Sequence, residues 1–241
     1  MLKIEKFVTM SPEQWEIVIE GMRNPKNSWD RMDSGVCEYL TVDNVLISDF
    51  ELGDNDHKLM MQLAEGGPVH AKYRRMMPVW VTITAPLYWW KEFDTYKVGT
   101  VCNSCSTMHK IQAKEFTLDD FSHEDLIGDW VGDNKDAMYY WKQEDMGWDL
   151  FATPLDGLKI VIGLLNANRE AYLRTKNKKY WKQMIHLLPT SYNQKRTIML
   201  NYEVLTNIET WRRNHKLDEW HTFCNWLEEL PHSEIITGYK E

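Results

Sequence analysis

Cys102 and Cys105, two residues apart with His109 four further on, present the ligand types of half a zinc site, because thiolates at that spacing can share a tetrahedral metal. The other half does not follow. There is no second CxxC, His123 and Cys224 stand at unsuited spacing, and no metal is expected. A redox pair would sit at a helix N-terminus after a strand, which this segment does not promise, so two loop or buried cysteines is the simpler reading. The same stretch, Asn103-Ser104-Cys105-Ser106-Thr107 behind Val98-Gly99-Thr100, offers hydroxyls and an amide in a glycine-led loop. A turn can approach a phosphate through backbone N–H groups with that composition, although such clusters are more often ordinary turns. His70, His186 and His215 each lack a Ser or Cys partner at a telling spacing, so no triad can be argued.

The formal charge of -8 argues against a long polyanion as partner, since neutralising a nucleic-acid backbone requires a basic surface. One small phosphorylated molecule is compatible with it. Two basic clusters, Arg169 to Lys182 and Lys195-Arg196 with Arg212-Arg213, could hold such an anion or serve as solvated helix faces. Twelve tryptophans could stack on a flat ring system, but Trp80, Trp89 and Trp90 fall where core packing accounts for them.

These residues need elements to position them. The 241 residues, 43% apolar and 27% charged, suit one globular domain spanning 1–241 with a substantial core. The longest apolar run is the short stretch Ile160 to Leu165, and the N-terminus has no apolar region of the secretory kind. A reducing cytoplasm is therefore expected, with neither secretion nor membrane spanning, and the four cysteines form no disulfide framework. Ser11-Pro12-Glu13-Gln14 reads as a capping box, followed by a helix with Trp15, Val18, Ile19 and Met22 on one stripe and Asn24-Pro25 as its stop. Asp54 or Asp56 can cap a second helix carrying Leu59, Met60, Leu63 and Ala64, ended by Gly66-Gly67. Val79, Val81 and Ile83 alternate as a strand that Pro86 closes, and Leu87 to Phe93 is helical. Residues 117 to 150 read only as short helices and loops. A long helix runs from Leu155 towards Leu173 and a short one from Lys179 to Leu188. Thr197 to Leu200 is a short strand, and helices follow around Val204, Leu205 and Ile208 and around Trp220, Phe223, Cys224 and Leu227.

In two ordered blocks the chain resembles flavin-dependent thymidylate synthase. The first is Ile83-Thr84-Ala85-Pro86 with the helix Leu87 to Phe93, then Thr95-Tyr96-Lys97 where the family has its Arg-His-Arg signature. Asn103-Ser104-Cys105-Ser106 follows where the family has Asn-Glu-x-Ser. The second runs from Leu188-Pro189 through Tyr192, Lys195-Arg196, Asn201, Leu205, Asn207 and Arg212. Gly66-Gly67-Pro68 stands where the family has a Gly-His-Glu segment, with His70 displaced. The match is best over residues 54–110 and 183–230.

The resemblance implies an α+β fold, with an antiparallel or mixed sheet flanked by helices. It implies a homo-oligomer, a tetramer in this family, whose partner is a small-molecule nucleotide. FAD would be the cofactor, NADPH and methylenetetrahydrofolate the co-substrates, and alkylation at C5 of a deoxyuridine monophosphate the reaction. Carried over by position, Tyr96, Lys97, Asn201 and Asn207 are flavin-side residues. Glu92, Asn103, Ser106, Lys195, Arg196 and Arg212 are substrate-side, with Ser106 and Arg212 in catalytic places. A related pyrimidine hydroxymethylase, and a nucleotide- or partner-binding protein without catalysis, stand beside this reading.

Overall fold

The computed structural model describes residues 1–129, 137–143 and 148–238. By contacts the chain divides into two compact units. A sheet unit comprises Leu2–Ile83, Phe93–Asn103 and Arg196–Glu241, and a second unit comprises Met1, Thr84–Glu92 and Ser104–Lys195.

The sheet unit begins with strand β1 (Lys3–Val8) and helix α1 (Pro12–Arg23). The capping box forms as expected: Gln14 N–H donates to Ser11 Oγ, and Ser11 N–H donates to Gln14 Oε1 at 2.9 Å. The stripe Trp15, Val18, Ile19 and Met22 is buried. An antiparallel hairpin of β2 (Gly35–Leu40) and β3 (Leu46–Glu51), which the sequence reading left unassigned, follows.

Helix α2 (Asp54–Glu65) corrects the expected cap. Gly53 is the N-cap, and neither Asp54 nor Asp56 caps the helix. The first-turn N–H groups of Asn55 and Asp56 donate instead to the Asp33 carboxylate, at 2.9 and 3.0 Å. A Cβ at Gly53 would lie 2.2 Å from Asp33 Cγ, so only glycine admits this distant cap. Asp56, 0% exposed, is thereby released for another role: it accepts from Arg23 Nε at 2.5 Å and from the Asp33 and Ser34 N–H groups at 2.9 Å each. Leu59, Met60 and Met61 form the buried stripe, while Leu63 and Ala64 are half-buried.

Strand β4 (Pro78–Pro86) buries Val79, Val81 and Ile83 as the alternation requires. Trp80, expected in the core, points outward and is 40% exposed. Helix α3 (Leu87–Phe93) buries Trp89 and Trp90 completely. Residues 101–104, expected in a loop, form strand β5 (Val101–Ser104). The antiparallel pair β6 (Tyr139–Gln143) and β7 (Trp148–Ala152) replaces part of the stretch expected as helices and loops, the remainder of which includes residues outside those described.

Helices α4 (Pro154–Thr175) and α5 (Lys178–Leu187) pack together in the second unit, whose core includes Phe116, Phe121, Leu158, Leu165 and Met184. Strand β8 (Asn193–Asn201) is longer than the expected segment and completes a four-stranded sheet in the order β1-β4-β8-β5. Helices α6 (Tyr202–Arg212), α7 (Asp218–Leu227) and α8 (Glu234–Thr237) return to the sheet unit. The architecture is α+β, as expected. Among the described residues no helix is long and apolar enough to cross a membrane.

Candidate functional site

A cleft of about 720 Å³ in the sheet unit is lined by the end of α2, the turn after it, Val98-Gly99 and one side of α6 as far as Thr210. Its size suits a nucleotide-sized ligand. Chain reversal after α2 depends on Gly67 at φ 84°, whose carbonyl accepts from the His70 and Ala71 N–H groups at 3.0 Å each. That turn leads into a 3-10 helix (Lys72–Met76), which places Arg74 and Arg75 on the cleft wall. Arg75 is exposed, whereas Arg74 is only 7% exposed. Arg74 Nη2 donates to the Ile235 carbonyl, while Nε is covered and has no partner.

On the facing side, Asn201 caps α6, its Oδ1 accepting from Val204 N–H at 3.1 Å, which leaves the side-chain amide nitrogen as a donor. Gly99 sits at φ 79°, and a Cβ there would lie 3.0 Å from Asn201 Nδ2, so glycine lets this turn settle on the start of α6. Glu203, Thr206, Asn207 and Thr210 complete the α6 side, with Glu203 Oε2 covered and without a partner. Asn201 and Asn207 both line this one cleft.

At the other end of α6, Arg212 Nε donates to Tyr96 Oη at 3.0 Å. Its guanidinium lies 4.8 Å from the Trp220 ring centre and 5.7 Å from that of Tyr96, within cation–π range of both. Tyr96 is thus engaged by Arg212 and Trp220. Lys97 is exposed beside a separate cavity of about 130 Å³, which Thr100 and Cys102 also line. Arg196 Nη1 donates to Asp94 Oδ1 at 2.7 Å, and Asn103 is exposed on β5.

Three expected residues belong to the other unit. Glu92 is half-buried on α3, Lys195 is exposed on β8, and Ser106 is an exposed residue after β5 whose Oγ accepts from His109 N–H at 3.0 Å. The basic cluster around Arg213 proves to be a strap between α6 and α7. Its guanidinium donates to Glu209 at 2.7 Å, to Asn225 at 2.7 Å and to the Cys224 carbonyl at 2.9 Å. Burial pushes the Cys224 thiol up to about 12, so it is a packing group rather than a nucleophile. Cys102 and Cys105 are both exposed.

Sequence reading missed Arg74, Arg75 and Glu203. The adjacent arginines between Gly66-Gly67 and Pro78 were a readable signal, but a pair of cations without periodicity does not disclose which cleft it will face.

No protein-family model matches the sequence, and no curated protein sequence matches it significantly. The likeness is in the fold. Thymidylate synthase X from Helicobacter pylori, solved with FAD and dUMP, superposes with a TM-score of 0.58 at 12% identity. The superposition covers 98% of this chain and 95% of that one. A UMP/dUMP methylase, PolB from Streptomyces cacaoi, bound with 5-Br dUMP, gives a TM-score of 0.55 at 13% identity over 99% and 95% of the two chains. The chain therefore has the fold of the flavin-dependent thymidylate synthases, as the two sequence blocks implied.

Proposed function

We propose that the protein binds a flavin nucleotide in the Asn201 cleft and alkylates C5 of a pyrimidine nucleoside monophosphate. FAD, NADPH and methylenetetrahydrofolate would be required, as in the synthases whose fold it shares. The observation that carries this reading is the cleft itself, where two asparagines singled out by position meet two arginines and two positive-φ glycines. Its donor set fits the group. Arg74 and Arg75 supply cations for phosphate or carbonyl oxygens, the more so because Arg74 Nε lacks a partner. The Asn201 and Asn207 amides can bond ring carbonyls, and the Glu203 carboxylate can accept a ring N–H. No Cβ stands at Gly67 or Gly99 to keep a flat ligand off the backbone.

When bound, the flavin would relay reducing equivalents from NADPH to the one-carbon unit. Arg212, preorganised by Tyr96 and Trp220, would stabilise negative charge developing on the pyrimidine. Arg74 and Arg75 would stand in for the cations absent from Thr95-Tyr96-Lys97. By the same resemblance the protein would assemble as a homotetramer, which light scattering tests.

The test is the visible spectrum of the purified protein, repeated after FAD is added and the sample desalted. Flavin bands that persist, and tritium release from deoxyuridylate labelled at C5 when all co-substrates are present, are the expected results. A protein that retains no FAD overturns the flavoenzyme reading. A second reading, nucleotide binding without catalysis, is favoured by the engagement of Tyr96 with Arg212 and Trp220 at the signature's place. Deoxyuridylate binding without tritium release would select it, and a hydroxymethylated product would select the related hydroxymethylase.

A further inference from the structure

A different cleft in the sheet unit, of about 730 Å³, shares no described lining residue with the Asn201 cleft. It lies between the end of α1, the two short 3-10 turns that follow (Asn24–Lys26 and Trp29–Arg31), and the outer face of α2. Among the described residues four cations line it, Arg23, Lys26, Arg31 and Lys58, against one lining carboxylate, Asp30. On a chain of formal charge -8 that is a pronounced local reversal. Lys26, Arg31 and Lys58 are exposed, and among the described residues none of them is paired with a carboxylate.

Arg23 supplies an independent indication. It is 3% exposed, its Nε is held by Asp56, and its Nη1 donates to the Ser28 carbonyl at 3.2 Å. Nη2 is covered and has no partner. A buried guanidinium nitrogen left unpaired carries an uncompensated desolvation cost, so a site that retains one at a cleft wall gains by admitting an acceptor there. Asp56 neutralises only one of the four cations. The remaining lining is mostly polar (Asn27, Ser28, Asn55 and Gln62), with Leu59 as its apolar member, and among the described residues it includes no aromatic side chain on which a base could stack.

We infer that this cleft is a binding site for a phosphate chain, the di- or triphosphate group of a small molecule, recognised through charge and hydrogen bonds rather than through a base. Arg23 is the fixed member at the wall, and Lys26, Arg31 and Lys58 close on the ligand from two elements. Binding here is independent of the flavin reading.

Inorganic tripolyphosphate is the first probe, titrated calorimetrically into the full chain at low and at moderate salt, alone and with FAD present. One site per chain is expected, with affinity that falls as salt rises and survives FAD. Lys58→Ala and Arg31→Ala, both at exposed positions, should each weaken binding about tenfold, the loss of one charge-assisted contact, and leave the melting temperature unchanged. A nucleoside triphosphate that binds as tightly as tripolyphosphate marks the phosphate chain as the whole determinant, and one that binds much tighter would overturn recognition without a base. Citrate binding equally well would overturn phosphate recognition. So would the absence of saturable tripolyphosphate binding, displacement of tripolyphosphate by FAD, or affinities in the two variants equal to that of the parent protein.

Discussion

Arg23 and Arg74 are both buried arginines on cleft walls of the same unit, yet they are held in different ways. Arg23 is locked to a carboxylate that is itself saturated by backbone N–H groups and the Ser34 hydroxyl. Arg74 is tied through Nη2 to the Ile235 carbonyl and carries an unpartnered Nε. A charge with a dedicated counter-ion becomes part of the framework, and its removal leaves a buried carboxylate unpaired. A charge tied to a neutral carbonyl keeps more of its field for whatever enters the cleft. Each arginine keeps one unpartnered nitrogen, Nη2 on Arg23 and Nε on Arg74, so among the described residues the two differ in the dedicated carboxylate that balances Arg23.

The most damaging change should be Arg23→Ala, which strands Asp56 and is expected to cost about 3–5 kcal/mol in chemical denaturation. Arg74→Met should cost less, about 1.5–3 kcal/mol for one hydrogen bond from a charged donor, while abolishing FAD retention after desalting. If the two variants lose equal stability, the distinction between framework and site cation is wrong. Asn201→Ala removes the α6 cap and should cost about 1 kcal/mol, with FAD affinity falling further than that of a cap elsewhere such as Ser11→Ala.

The smallest effect is one of pH. Burial lowers the His232 pKa below its ordinary value of 6.5, opposed by Glu234 and reinforced by His57. A histidine that binds its proton less readily when folded contributes stability that is fully present above its unfolded pKa and is lost as pH falls on through the lower folded pKa. Because Glu234 begins α8, whose Ile235 anchors Arg74, acidification from about pH 7.5 to 5.5 should loosen the Arg74 side and leave the Arg23–Asp56 pair intact. Melting curves across that range should show a decline that His232→Asn removes, asparagine being able to adopt the φ of 52° at this position.

Periodicity made α1, β4, α3, α4, α6 and α7 legible, because each buries a stripe that its own sequence encodes. The hairpin β2–β3 escaped because its residues are largely exposed and show no buried alternation. Strand β5 escaped for the same reason: all four of its residues are exposed, and pairing with β8, not burial, makes it a strand. The α2 cap was misplaced because the group that caps it, Asp33, lies more than twenty residues away in sequence.

For the candidate site, the sequence alone supplied the order of the two blocks and, through the resemblance, singled out Asn201 and Asn207, and α6 with its cap is what carries both to one cleft. Tertiary structure decided the rest. Arg74 and Arg75 became cleft residues because Gly67 turns the chain, and Tyr96 became a partner of Arg212 because α6 and α7 present Arg212 and Trp220 to it. A residue's local pattern fixes the direction of its side chain on its own element. Whether that direction ends in solvent, in an ion pair or at a ligand depends on which distant segment arrives opposite, and no short-range pattern encodes that.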